Sequence, residues 1–171
     1  MKLAYRAVLG VVSLATAGAA MAQATNTATA DASITITRGI TVTKNADLAF
    51  GRCVQPTVAG TVAVAAATGA RTTTNVTCPT QYSDTVAAAA FTVNGEGGAA
   101  ITVTVPPDVT MNNGGDSILV TLAAGTLPTS LSGTAGAPGS ATFNVGGSAA
   151  LGAAQAAGPY TGTFMVTAAY N

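Results

Sequence analysis

The C-terminal stretch Gly158-Pro159-Tyr160-Thr161-Gly162-Thr163-Phe164-Met165-Val166-Thr167-Ala168-Ala169-Tyr170-Asn171 decides how the rest of the chain is read. Its even positions carry Tyr160, Gly162, Phe164, Val166, Ala168 and Tyr170, while threonine recurs on the odd ones. In an extended chain, successive side chains point to opposite faces, so this alternation predicts a long core strand with one inward face. A strand has two hydrogen-bonding edges. As the last strand of the fold it needs an earlier segment, or another molecule, to pair with its second edge.

The same period recurs upstream. Ile34, Ile36, Ile40 and Val42 share one parity, as do Val62, Val64 and Ala66, then Phe91 and Val93. Further on come Ile101, Val103 and Val105, then Ile118, Val120 and Leu122, then Phe143 and Val145. Turn-forming residues separate the runs: Thr68-Gly69-Ala70, Asn94 to Gly98, Asn112 to Asp116, and Ser132 to Ser140. The runs at 91–94 and 99–105, joined by glycines, predict a hairpin. The alanine clusters at 87–90 and 153–157 are too short to stand as helices in water. Short strands, glycine-rich turns and abundant threonine, whose branched Cβ suits a pleated surface, point to an all-β sandwich.

Composition narrows the function classes. Thirty-eight Ala, 29 Thr and 20 Gly make up half of the 171 residues, only 7% are charged and there is no histidine. Ser/His and Cys/His catalytic pairs and the usual zinc and haem ligand sets are therefore missing a part. Six basic and six acidic residues leave no electrostatic footprint for nucleic acid. The scattered acids and Lys44 form no catalytic constellation, so the chain reads as a non-enzyme without metal or cofactor, its charges a thin solvated face.

Residues 1–22 read as a secretory signal peptide: Lys2 and Arg6, the apolar run Ala7 to Ala15, and the terminal Ala20-Met21-Ala22. Export with no remaining membrane span is expected. Cys53 and Cys78 are then most simply a disulfide, because their spacing is not Cys-x-x-Cys and no basic cluster lowers a thiol pKa.

Gly158, fourteen residues from the end, the alternation after it and the penultimate Tyr170 resemble the C-terminal β-zipper motif of chaperone/usher pilins. Throughout its mature length the chain resembles the secreted, pilin-like bacterial family catalogued as domain of unknown function 4402. Asp47-Leu48-Ala49-Phe50-Gly51, Phe91 to Gly95 with Ile101 to Pro106, Phe143 to Gly147, and Gly158 to Asn171 carry that likeness. The resemblance implies an immunoglobulin-like, pilin-type β-sandwich over residues 33–171 that lacks its last strand. It implies a structural subunit of a surface fibre or coat, exported to the periplasm and then placed on the cell surface or secreted. Its partners would be identical or related pilin-like subunits, with a periplasmic chaperone and an outer-membrane usher. Assembly would proceed by β-strand complementation, in which main-chain hydrogen bonds supply affinity and alternate side chains fill pockets.

The receiving strand would present Gly158, Tyr160, Gly162, Phe164, Val166 and Tyr170. The candidate donor is the N-terminal extension, residues 23–32, with Ala28, Ala30 and Ala32 on one face, continued by Ile34 and Ile36. Alanine buries little beside the ~1.5–3 kcal/mol of a large aliphatic side chain, so the two isoleucines would carry most of the contact. They could equally open the first strand of the subunit's own sandwich. Three rival readings stand beside it: a self-complemented monomeric secreted or cell-surface β-sandwich protein with a binding role, an outer-membrane barrel, and a calcium site at Asp108, Asn112, Asn113 and Asp116. Too few aromatics for two girdles oppose the barrel, and the spacing does not match an EF-hand loop.

Overall fold

A computed structural model describes residues 26–171, so the expected signal peptide lies outside the described residues. The chain divides into two units, and the larger begins at Ile36 and runs to Asn171. Residues 26–35 belong to the other unit; they form no regular secondary structure and are exposed throughout.

Nine strands and no helix make up the described chain: β1 (Thr41–Ala46), β2 (Gly60–Val64), β3 (Arg71–Thr74), β4 (Ala89–Glu96), β5 (Ile101–Thr104), β6 (Asp108–Asn113), β7 (Asp116–Ala124), β8 (Pro138–Leu151) and β9 (Thr167–Tyr170). All pairings are antiparallel. The larger sheet runs β1-β4-β8-β2-β3, with β7 also on β8 and β6 on β7; β5 and β9 form the smaller sheet. Strand β8 is the spine. Its first part pairs with β4 from Pro138↔Glu96 to Val145↔Ala89, and its second part pairs with β2 and β7 through Gly147, Ser148 and Ala149.

The core lies between the sheets, as the alternation predicts. Val93, Val120, Val145 and Phe143 from the large sheet meet Ile101 and Val103 from the small one, and Leu131 closes one end. Phe91 stacks on Phe143 at 5.4 Å between ring centroids and receives Phe164 edge-on at 6.1 Å. Offset and edge-on contacts suit the quadrupole of the rings. The chain is thus an all-β sandwich with two sheets and one disulfide, Cys53–Cys78.

Three sequence expectations are corrected. First, β4 and β5 are not a hairpin: β4 pairs with β1 and β8, and β5 pairs with β9. The glycine-rich link carries the chain to the other layer, where Gly97 N donates to Ala137 O and Gly98 N to Leu131 O. Second, the first strand starts at Thr41, and Ile34 and Ile36 are both 86% exposed outside any strand. Third, the C-terminal stretch is extended and its even positions except Gly158 and Gly162 are half-buried, but a regular ladder exists only at β9, with one isolated bridge, Thr161↔Asn112. Opposite the gap stand Pro106 and Pro107, which have no N–H to donate.

Candidate assembly groove

Only one edge of the C-terminal stretch is paired. Thr161 exchanges both main-chain bonds with Asn112, and Asn171 N donates to Ala100 O. Antiparallel pairing alternates, so at the two ends, where odd residues bond to β6 and β5, the N–H and C=O groups of Tyr160, Ala168 and Tyr170 point to the other edge, while residues 162–166 have no main-chain partner on either side among the described residues. Among the described residues no strand pairs there.

At the Tyr160 end this edge borders a groove of about 800 Å³. Residues 48–56 form one wall and residues 155–160 the other, and the floor is the core side of Val62, Met111, Ile118, Ala149 and Leu151. The 48–56 wall is held from behind. Ala49 and Ala87 exchange main-chain bonds, Val54 N donates to Thr77 O, and the Cys53–Cys78 disulfide fixes the same stretch. Arg71 donates from Nη1 to Phe50 O and from Nη2 to Cys78 O, both at 2.9 Å. Arg52 pairs with Asp84 at 3.5 Å and lies 4.8 Å from the centroid of the Tyr82 ring.

Both ends of the slot, meaning the strip along the outer edge of residues 160–170 with the groove at its Tyr160 end, are tied. At the groove end, Ala154 N donates to Pro56 O at 2.8 Å, and Gln55 Nε2 donates to Ala154 O at 3.3 Å and Gln155 O at 2.9 Å. Gln155 in turn donates to Tyr160 Oη at 2.9 Å and accepts from Gly152 N, so a single glutamine organises the loop. At the far end, Tyr170 Oη donates to Arg38 O at 2.9 Å and accepts from Glu96 N at 2.7 Å. The Glu96 carboxylate accepts from Gly136 N, from Arg38 N at 3.3 Å and from Arg38 Nη1 at 3.1 Å. The Gly136 N–H first, then the Arg38 N–H and guanidinium, hold the Glu96 carboxyl below its ordinary value of 4.5, outweighing the opposing effect of burial.

The residues singled out in sequence take distinct places. Gly158 has φ +143°, and a Cβ there would run into the Asn113 side chain. Gly162 lies so close to β6 that a Cβ would sit 2.6 Å from Thr110 O. Tyr160 lines the groove, Phe164 reaches Phe91, and Val166 and Tyr170 pack on the core. Ala28, Ala30, Ala32, Ile34 and Ile36 are exposed. Asp108 sits at the opposite end of β6 from the Asn112–Asp116 turn, so that acidic cluster does not converge.

Sequence reasoning missed Gln55, Gln155, Glu96 and Arg71. The charges are not simply a solvated face, because Arg38, Arg52 and Arg71 each brace a wall or end of the slot. A lone polar residue inside an apolar or glycine-rich run, as at Gln155 and Glu96, was the available signal.

The fold and the slot together define a two-layer β-sandwich whose final strand is paired on one side only. The chain belongs to the family described as domain of unknown function 4402 (DUF4402), whose model matches residues 40–170. No curated protein and no solved structure matches it.

Proposed function

We propose that the protein is a secreted structural subunit of a surface fibre or coat, fimbrial and pilin-like, that assembles by β-strand complementation. The observation that carries this reading is the unpaired edge of residues 160–170 bordering a groove with an apolar floor. An extended segment laid there would gain main-chain hydrogen bonds from a strand already in place and would cover half-buried side chains. This is strand addition at an exposed sheet edge. The exposed Ile34 and Ile36 offer an apolar segment outside the folded strands.

The reading requires no catalytic group or cofactor. It places the protein in the periplasm and then at the cell surface, where the disulfide persists. The partners are identical or related subunits, delivered by a periplasmic chaperone and an outer-membrane usher. Protein isolated from the cell surface is expected to give detergent-resistant, heat-labile ladders, and deletion of residues 23–37 is expected to remove them. A deletion variant that assembles normally overturns the proposal.

A further inference from the structure

Two Asn-Gly pairs occur in the sequence, Asn94-Gly95 and Asn113-Gly114, and the fold treats them in opposite ways. Asn94 lies inside β4, paired with Thr41 of β1 on one side and Ser140 of β8 on the other. Gly95 follows it into the ladder opposite Gly139, is buried, and is so tightly covered that a Cβ there would run into Tyr170 Oη. Asn113 ends β6 opposite Asp116, and Gly114-Gly115 form the two-residue turn into β7. Both of these glycines are exposed with open space around them, Gly114 has φ +62°, and its N–H makes no main-chain hydrogen bond among the described residues.

The Asn113 side chain reaches the groove wall. Its Nδ2 donates to Ala157 O at 3.4 Å, and it lies so close to Gly158 that a Cβ there would collide with it. Only one other side-chain bond joins this hairpin to the 152–160 loop among the described residues, from Gln155 Nε2 to Ser117 O at 3.4 Å.

We infer that Asn113-Gly114 is a self-modification site: Asn113 deamidates through a succinimide, and the product releases the 155–160 wall of the groove from the β6–β7 turn. Gly114 N gives its proton to hydroxide and attacks Asn113 Cγ. The N–Cγ bond forms, the Cγ–Nδ2 bond breaks, and ammonia leaves after taking a proton from water. Water then opens the ring by breaking the bond from Gly114 N to the main-chain carbon of residue 113 or to Cγ. The first cleavage leaves isoaspartate, with the main chain running through Cγ, and the second leaves aspartate. No side chain on residue 114 shields the attacking nitrogen, and the open turn lets the peptide rotate into position. Asn94 has the same dipeptide without that freedom, so its reaction waits for β4 to leave the sheet.

Charge then acts on the wall. The new carboxylate has no N–H for Ala157 O, and it stands across the ladder from Asp116, where like charges are unfavourable. The reaction needs only water, and it proceeds whether or not the groove receives a strand.

The test is the purified protein aged in mildly alkaline buffer, folded and in urea, followed by peptide mapping by mass and enzymatic methylation of isoaspartate. In the folded protein the Asn113 peptide is expected to exchange one NH for O and to become methylated. Asn94 is expected to convert more than about a hundredfold more slowly, since a core strand opens only at a free energy near that of global unfolding. Comparable conversion at the two sites in the folded protein, or none at Asn113, overturns the site. In urea the two rates should converge, and an equally large difference there overturns the role of the fold. Asn113→Asp supplies one product directly: hydrogen exchange at Ala154 N and Gln155 N should rise while Phe91 and Val93 stay protected. Unchanged exchange in the wall, or loss of protection in β4 as well, overturns the release of the wall and leaves the modification standing.

Discussion

Strand β8 and the C-terminal stretch carry similar alternating patterns and end differently. Phe143 and Val145 lie on a strand with β4 on one side and β7 and β2 along its second half, and both are buried. Phe164 and Val166 repeat that spacing but remain half-buried in the extended segment before β9, where no ladder forms. The difference is in what lies beside the strand, since an inward face becomes a core only where neighbours close over it.

Substitutions at paired positions test this contrast most severely. Val120→Asp places an unpaired charge at a site with no exposure, and an unpaired buried charge costs several kcal/mol against a total stability of about 5–15 kcal/mol. No folded protein is expected by circular dichroism, whereas Val166→Asp should fold and lose assembly. Equal outcomes for the two variants would break the comparison. Replacing Cys53 and Cys78 together by alanine should lower stability by about 3 to 4 kcal/mol in denaturant titrations, from the loop entropy of a 25-residue separation.

Phe164→Ala is expected to cost about 2 kcal/mol, against about 3–5 kcal/mol for Phe143→Ala, because Phe164 is only partly buried and Phe143 is fully so. Tyr170→Phe removes a hydroxyl that joins Glu96 N and Arg38 O, and a loss of about 1–2 kcal/mol should appear as a lower denaturant midpoint.

The smallest effect is electrostatic. Because the Glu96 carboxyl titrates below its ordinary value in the folded protein, its contribution is complete above about pH 4.5 and is lost as pH falls through the lowered value. Wild-type urea midpoints should therefore drop more between pH 6 and pH 3 than those of Glu96→Gln.

The strands legible in sequence are those with one wet and one dry face: β2, β4, β5, β7 and the middle of β8. Strand β3, Arg-Thr-Thr-Thr, has no apolar parity and was invisible; its side chains are mostly exposed and it holds its place by pairing with β2. Strand β6, with only Val109 and Met111, is nearly as silent. Turn chemistry at Gly95–Gly98 marked a reversal without saying that it crosses between layers. For the site, the receiving edge was readable because parity is local. The walls were not, because Gln55 to Ala154, Arg38 to Glu96 and Arg38 to Tyr170 are contacts across the chain that no local pattern announces.

The tie at Arg38 also has a mechanical consequence. Strand β1 begins three residues later and, among the described residues, pairs with β4 alone, so tension on the N-terminal extension would otherwise peel β1 away one residue at a time. Since the Arg38 amide is held by Glu96 and its carbonyl by Tyr170, such a pull is shared between the ends of β4 and β9 before it reaches β1. Load enters both layers of the sandwich together, where several bonds must fail at once.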